Sequence, residues 1–359
     1  MLSGGVLQYR RSPEPAFRVA AGPAGMESHS ALQHTVGHTR TRGATVTLAI
    51  GVDIGGTKVA AGVVDDRGDI VASARRDTPS HDPAKIEEII GDVVRELQAT
   101  HEIEAVGIGA AGFVDSARAN VIFAPNLAWR DEPLRAAVEA RCGLPVVVEN
   151  DANAAAWAEA RFGAGRGEDY LVILTVGTGL GGGLVIGGEL YRGRLGVAAE
   201  FGHLTVEPGG RRCGCGGRGC WERYASGRAL VREAQELAAV SPAIAGRLLE
   251  LAGGRPEDIT GLAVTEAAQD GDEAALEAFE VTGTWLGHGM ASLAAVLDPG
   301  MFVLGGGVSA AGELLREPAA RALRERITAR AYREIPSVRL AELGPEAGIV
   351  GAADLARRR

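Results

Sequence analysis

Lysine, cysteine and aromatic residues are all scarce in this chain of 359 residues, and long apolar runs are absent. No stretch of eighteen apolar residues occurs, so no segment has the length and hydropathy of a bilayer-spanning helix. The first 46 residues lack the apolar core of a secretory signal, and the expected compartment is therefore the reducing cytosol. Positive charge is not in excess: the formal net charge is −9, which opposes a nucleic-acid surface built on phosphate neutralisation. Only two of the 37 lysines and arginines are lysine, Lys58 and Lys85, so each marks a position that merits attention. With four cysteines, three of them between 213 and 220, a disulfide framework is excluded and a metal site is favoured. Three is an odd number to pair, and Cys213 and Cys215 are too close in sequence to bridge easily.

What is present is the composition of an α/β globule, 46% hydrophobic and 23% charged. The length exceeds one comfortable core and suggests two domains. Residues 1–46 carry Gly, Pro, His and Arg without periodicity and read as a disordered extension. A misassigned start or an arginine-bearing nucleic-acid arm are the alternatives for it. Order begins at "VTLAIGVDIGGTKVAAGVVDDRG", residues 46–68, an apolar hairpin with a polar tip. "YLVILTVGTGLGGGLVIGGEL", residues 170–190, repeats the plan, which suggests a duplicated fold with one hairpin in each half. Ile86, Ile89, Ile90, Val93, Val94 and Leu97 fall on one face of a helix expected over about 84–99. "AVGIGAAG" and "LPVVVEN" read as buried strands, and a long helix is expected over about 272–297 before Asp298-Pro299-Gly300. The expected organisation is a small α/β domain over 47–162, a large one over 163–345, and a terminal helix at about 346–359 packing back on the first.

Four stretches carry chemistry. In "DIGGTK", Gly55 and Gly56 let backbone N–H groups approach a phosphate, Thr57 adds a hydroxyl, Lys58 a positive charge, and Asp53 a ligand for Mg²⁺. An ordinary hairpin turn is the plain alternative. Joined to Gly177-Thr178-Gly179 and Gly305-Gly306-Gly307, the hexapeptide makes a three-turn clamp for a nucleotide, although no segment matches a P-loop or dinucleotide fingerprint. "VVVENDANAAAWAEA" ends a buried strand at Glu149-Asn150-Asp151 before a helical run. There Asp151 stands as a carboxylate able to take a proton from a hydroxyl, unless Asp151 or Asn153 merely caps the helix. Asn126 and Asn150 are amides of the kind that read sugar hydroxyls. Cys213, Cys215 and Cys220, with His203 nearby, offer three thiols and an imidazole to a metal, and a glycine-rich loop with incidental cysteines is the plain alternative. If one ring nitrogen of His203 binds the metal, the other carries the proton.

In order and spacing, "DIGGTK", "END", "GTGLGGG", "AAEFGH", "CGCGGRGCWE" and "GGGVS" resemble the bacterial glucokinases of the ROK family, from about residue 48 to the end. The resemblance implies an actin-like (ribonuclease H-like) two-domain sugar-kinase fold with an interdomain cleft, using MgATP to phosphorylate the 6-hydroxyl of glucose. Carried over residue by residue, it implies Asp151 as general base and Asn126, Asn150, Asp151, Glu200, His203 and Glu222 as sugar ligands. It implies His203, Cys213, Cys215 and Cys220 as zinc ligands, no membrane or nucleic-acid partner, and a homo-oligomer, dimer or tetramer. Within the family the alternatives are a kinase for fructose, mannose or an N-acetylated amino sugar, or one using polyphosphate. The alternative of another class is a sugar-responsive repressor, which would need a helix-turn-helix of about 60 residues before "DIGGTK" where about 46 irregular ones stand.

Overall fold

Hairpin, hairpin, then parallel return: this order is written twice along the backbone. The computed structural model describes residues 47–359, so the extension read over 1–46 lies outside the described residues. Strands Leu48–Ile54 (β1), Lys58–Val64 (β2) and Ile70–Asp77 (β3) form an antiparallel meander. Helix Pro83–Gln98 (α1) follows, and Ile103–Ala110 (β4) returns parallel to β1. Asp82 caps α1 by accepting the Lys85 N–H at 3.1 Å, proline opens the first turn, and Ile86, Ile90, Val93, Val94 and Leu97 are buried as the spacing predicts. A small separate sheet, Phe113–Val114 (β5), Val121–Phe123 (β6) and Arg130–Glu132 (β7), precedes helix Leu134–Cys142 (α2). Strand Val146–Asn150 (β8) then lies parallel to β4 and closes the first sheet in the order β3-β2-β1-β4-β8.

Helix Asp151–Phe162 (α3) leads out of that sheet. Strands Leu171–Val176 (β9), Leu180–Ile186 (β10) and Glu189–Leu190 (β11) repeat the meander. Four helices follow, Gly227–Val240 (α4), Gly246–Leu251 (α5), Gly261–Gln269 (α6) and the 25-residue Glu273–Leu297 (α7). Met301–Gly305 (β12) pairs parallel with β9, helix Glu313–Arg326 (α8) crosses, and Ser337–Leu340 (β13) completes a second sheet in the order β11-β10-β9-β12-β13. The strand order is the same in both sheets, so the duplication read from the two glycine-rich hairpins is topological as well as sequential.

The terminal helix Ala347–Arg357 (α9) packs on the first sheet, with every residue from Ala347 to Ala356 buried. Its seat is made of missing side chains. A Cβ on Gly51 of β1 would collide with the Ile349 carbonyl, and one on Gly107 of β4 with the Ala352 carbonyl. Gly351 in turn leaves room for the Ala154 carbonyl of α3. Glycine spaced along two adjacent strands lets the helix axis approach the sheet backbone directly. Asp354 then locks the contact by accepting the Trp157 indole N–H at 2.9 Å.

Candidate active site and metal centre

Asn150, the last residue of β8, has extended backbone angles (φ −64°, ψ 142°) and caps α3 through its Oδ1, which accepts the Asn153 N–H at 3.0 Å. Its Nδ2 donates to the Gly112 carbonyl and to Asp151 Oδ1, both at 3.1 Å. The capping role that the sequence left open for Asp151 or Asn153 therefore belongs to Asn150, because the chain leaves the extended region one residue earlier. Asn153 is buried and donates to Glu149 Oε1 at 3.1 Å. Asp151 is left as the first helical residue, its carboxylate oriented by its neighbour, and burial pushes its carboxyl up to about 6.

Asp53 faces the same place from β1. A Cβ on Gly109 of β4, between the two strands, would lie 3.7 Å from both Asp53 Oδ1 and the Asp151 Cα. Burial first, and then the charge of Asp151, raises Asp53 to about 6 as well. Two half-buried carboxylates with no cation paired to either among the described residues make a donor set suited to a hard divalent ion. Gly56 in the β1–β2 turn stands against Asn126, whose Cβ would be 3.5 Å from an added Cβ there. Buried Glu149 was not singled out in the sequence. It accepts the Asn150 N–H at 3.0 Å and pairs with Arg192 at 2.7 Å and Arg118 at 3.2 Å, tying the end of β8 to the segment after β11.

The cysteine loop folds back on itself through the isolated bridges Thr205↔Cys220 and Arg212↔Arg218. Gly219 has φ +75° and leaves space for the Glu207 carbonyl, which only a residue without Cβ provides. Trp221, fully buried, donates its indole N–H to the Trp285 carbonyl of α7 at 2.8 Å and anchors the loop. The ligand atoms of His203, Cys213, Cys215 and Cys220 all lie within 4.8 Å of one another. Cys215 Sγ is 3.6 Å from Cys220 Sγ, and Cys213 Sγ is 3.7 Å from His203 Nδ1. A tetrahedral zinc with Zn–S of about 2.3 Å and Zn–N of about 2.0 Å separates its ligands by roughly 3.6–3.8 Å, so the donors fit. The nitrogen aimed at the sulfurs is Nδ1, which leaves Nε2 outward.

Beside this centre, burial raises the Glu200 carboxyl, the charges of Asp151 and Glu222 add to the rise, and His203 opposes it. Glu222 Oε1 accepts from the Cys213 thiol at 3.0 Å, and its Oε2 lies 2.9 Å from where a Gly179 Cβ would stand. Asp151, Glu200, His203 and Glu222 therefore form one neighbourhood that reaches the Gly177–Gly179 turn.

That turn and the one after β12 abut. Gly306 has φ +83°, and a Cβ there would press on the Val176 backbone at 2.6–2.8 Å. They border a cavity of about 540 Å³ lined by Gly177, Thr178, Gly307, Gly227, Thr260 and Gly261, and the Gly227 N–H donates to the Gly177 carbonyl at 2.8 Å. Both α4 and α6 begin at this cavity, capped by Ser226 and Thr260, each accepting an N–H at 3.2 Å. The sequence reading missed this wall, whose only signals are two helix starts, Ser-Gly and Thr-Gly. Asp53, Gly55, Gly56, Thr57 and Lys58 do not line the cavity, because their turn belongs to the first sheet, near Asn126 and Asp151. Thr57 and Lys58 are exposed there, and Lys58 has no ion-pair partner among the described residues.

Residues 49–359 match the model of the ROK family. The chain is 51% identical over 310 residues to a glucokinase of Streptomyces coelicolor, covering 86% of this chain and 98% of the relative. It is 37% identical over 315 residues to a glucokinase of Thermotoga maritima, covering 86% and 97%. A crystal structure of a ROK family glucokinase from Streptomyces griseus, in complex with glucose and AMPPNP, superposes with a TM-score of 0.79 at 53% identity, over 87% of this chain and all of that one. The mixed α/β architecture of two like sheets is the actin-like fold expected from the motifs, and this chain belongs to the ROK family.

Proposed function

We propose that the chain is an ATP-dependent glucokinase, transferring the γ-phosphoryl group of MgATP to the 6-hydroxyl of glucose. The observation that carries this reading is the convergence of an uncapped carboxylate, Asp151, with Glu200, His203 and Glu222 beside the Gly177–Gly179 turn. The glucokinases at 51% and 37% identity, and the relative that binds glucose and AMPPNP, support the same substrates.

In this reading Asp151 is the general base. Ionised above about pH 6, it takes the proton of the 6-hydroxyl as the oxygen attacks phosphorus, with Asn150 Nδ2 holding the carboxylate in place. Asn126, Glu200, His203 and Glu222 hold the sugar, His203 through the Nε2–H left free when Nδ1 faces the metal. Asn150 joins this set chiefly by orienting Asp151, since both of its amide protons are already engaged. The nucleotide occupies the cavity lined by Gly177, Thr178 and Gly307, while Gly179, Gly305 and Gly306, which do not line it, shape the two turns. Its terminal phosphates reach toward Gly55, Gly56, Thr57 and Lys58, and Asp53 would hold Mg²⁺, which would neutralise charge on the transferring group. His203, Cys213, Cys215 and Cys220 would hold a structural zinc, which would fix the loop that carries the sugar ligands and supply no chemistry.

The two sheets with their helices act as two domains meeting at residues 163–170 and 341–346, and the enzyme works in the cytosol as a homo-oligomer. No helix among the described residues is long and apolar enough to cross a membrane. A coupled assay for sugar phosphate, run over glucose, fructose, mannose and N-acetylglucosamine with ATP and with polyphosphate, tests the substrate. Glucose with ATP is expected to give by far the highest kcat/KM. Comparable values for all the sugars would overturn the glucokinase assignment and leave the kinase.

A further inference from the structure

Glu159 lies in the last turn of α3, is 2% exposed, and has no cationic partner among the described residues. That is an unfavourable place for a carboxylate, because a buried charge needs compensation and the helix C-terminus repels an anion. Its compensation comes from outside the helix. Oε1 accepts the Leu343 N–H at 2.8 Å, while Oε2 accepts the Ala164 N–H at 3.0 Å and the Glu342 N–H at 3.1 Å. These donors belong to two separate stretches of chain. Residues 163–170 carry the backbone from α3 to β9, and residues 341–346 carry it from β13 back to α9. Among the described residues they are the two passages between the sheets, and one carboxylate binds both. Gly163 leaves room for it, since a Cβ there would collide with Oε2, and Arg339 Nη1 joins the same point by donating to the Ala164 carbonyl at 3.2 Å.

The helix that carries Glu159 also carries the proposed base. Asp151 and Glu159 are eight residues apart on α3, about 12 Å along one rigid axis. The same helix packs on β10 of the second sheet, with the Ala152 Cβ 3.4 Å from where a Gly181 Cβ would stand. We propose that Glu159 is the hinge residue of this enzyme. It is a positioning residue whose carboxylate pins both interlobe passages, so that the halves close on substrate by rotating about Ala164 and Glu342–Leu343. In-line transfer needs Asp151 on one half to meet the nucleotide held beside the turns Gly177–Gly179 and Gly305–Gly307 on the other, and the pin sets that angle.

The inference rests on the glucokinase reading for its readout, and the test separates the two. Glu159→Gln keeps the volume but turns a donor toward backbone N–H groups. Glucose-driven compaction is followed by small-angle X-ray scattering alongside kcat, glucose KM and ATP affinity. The variant is expected to fold and bind ATP as the parent does, to lose most of the glucose-driven compaction, and to lose roughly ten- to hundredfold in kcat. Glu159→Asp, which keeps the charge but is too short to span both passages, is expected to fall between. If neither variant folds, hydrogen exchange on the unaltered protein decides. The amides of Ala164, Glu342 and Leu343 are expected to exchange slowly with and without glucose, and fast exchange of all three would overturn the pin. Parent-like compaction and kcat in Glu159→Gln would also overturn it, whereas an unaltered protein that fails to phosphorylate glucose refutes the kinase reading instead.

Discussion

The cysteine loop over 203–222 and the paired turns at 177–179 and 305–307 are both rich in glycine, yet they are ordered by different means. The turns cap β9 and β12, whose residues Val172, Leu174, Phe302 and Leu304 are fully buried, so the sheet fixes them before any ligand arrives. The loop has no strand of its own: isolated bridges, scattered backbone hydrogen bonds and the Trp221 anchor hold its ends, while the run from Gly214 to Arg218 is exposed. That exposed run is gathered by the set of four ligand atoms within 4.8 Å. Glycine permits close approach but supplies no order of its own. Order comes from strand pairing in one region and from metal in the other, and the two should therefore fail separately.

The largest effect is expected at the residue that needs both regions. Asp151→Asn retains size, and Asn150 still caps α3, so the fold and the binding of both substrates should survive while kcat falls by roughly 10²–10⁴. Turnover of the unaltered enzyme should drop as pH falls through about 6, where Asp151 takes up its proton. A variant with near-normal kcat would remove Asp151 from the chemistry. Next in size is Cys215→Ala, which breaks the loop alone: glucose KM is expected to rise by roughly 10–100-fold while ATP affinity stays put. Titrations with each substrate check this, and equal losses for both would erase the distinction between the regions.

Gly306→Ala is the mirror experiment. The left-handed backbone and the pressing Val176 carbonyl together oppose a Cβ, at roughly 2–3 kcal/mol. ATP KM should rise about tenfold or more with glucose KM unchanged, and an unchanged ATP KM would show that the turn does not need its geometry. The smallest effect is on stability. A carboxyl raised in the folded state favours folding while protonated, so the contribution of Asp151 is complete below about pH 4 and is lost as pH rises through about 6. Melting of Asp151→Asn should therefore gain on the parent at pH 8 relative to pH 5, by about 1–3 kcal/mol. The opposite trend would mean that the carboxylate is paired in the fold.

Much of this was legible in the sequence where a short motif carries its own geometry. The hairpins show as glycine turns after apolar strands, α1 as a row of aliphatic residues, and the metal set as three cysteines and a histidine. What escaped reading was assembled at long range. The cavity wall at Gly227, Thr260 and Gly261 comes from two helix starts with no shared motif. The identity of the α3 cap turned on one residue of backbone angle, which composition does not encode. Glu149 and Glu159 receive no role from the sequence, and only their distant partners, Arg192 in one case and Leu343 in the other, give them one.

The most direct test of the two-region account is metal analysis of the purified protein, with glucose and ATP binding measured on one sample before and after exhaustive chelation. About one zinc per chain is expected. On its removal glucose binding should be lost while ATP binding persists, and restored zinc should recover both binding and phosphorylation. A metal-free chain that still binds and phosphorylates glucose normally, or one that loses ATP together with glucose, would contradict the account.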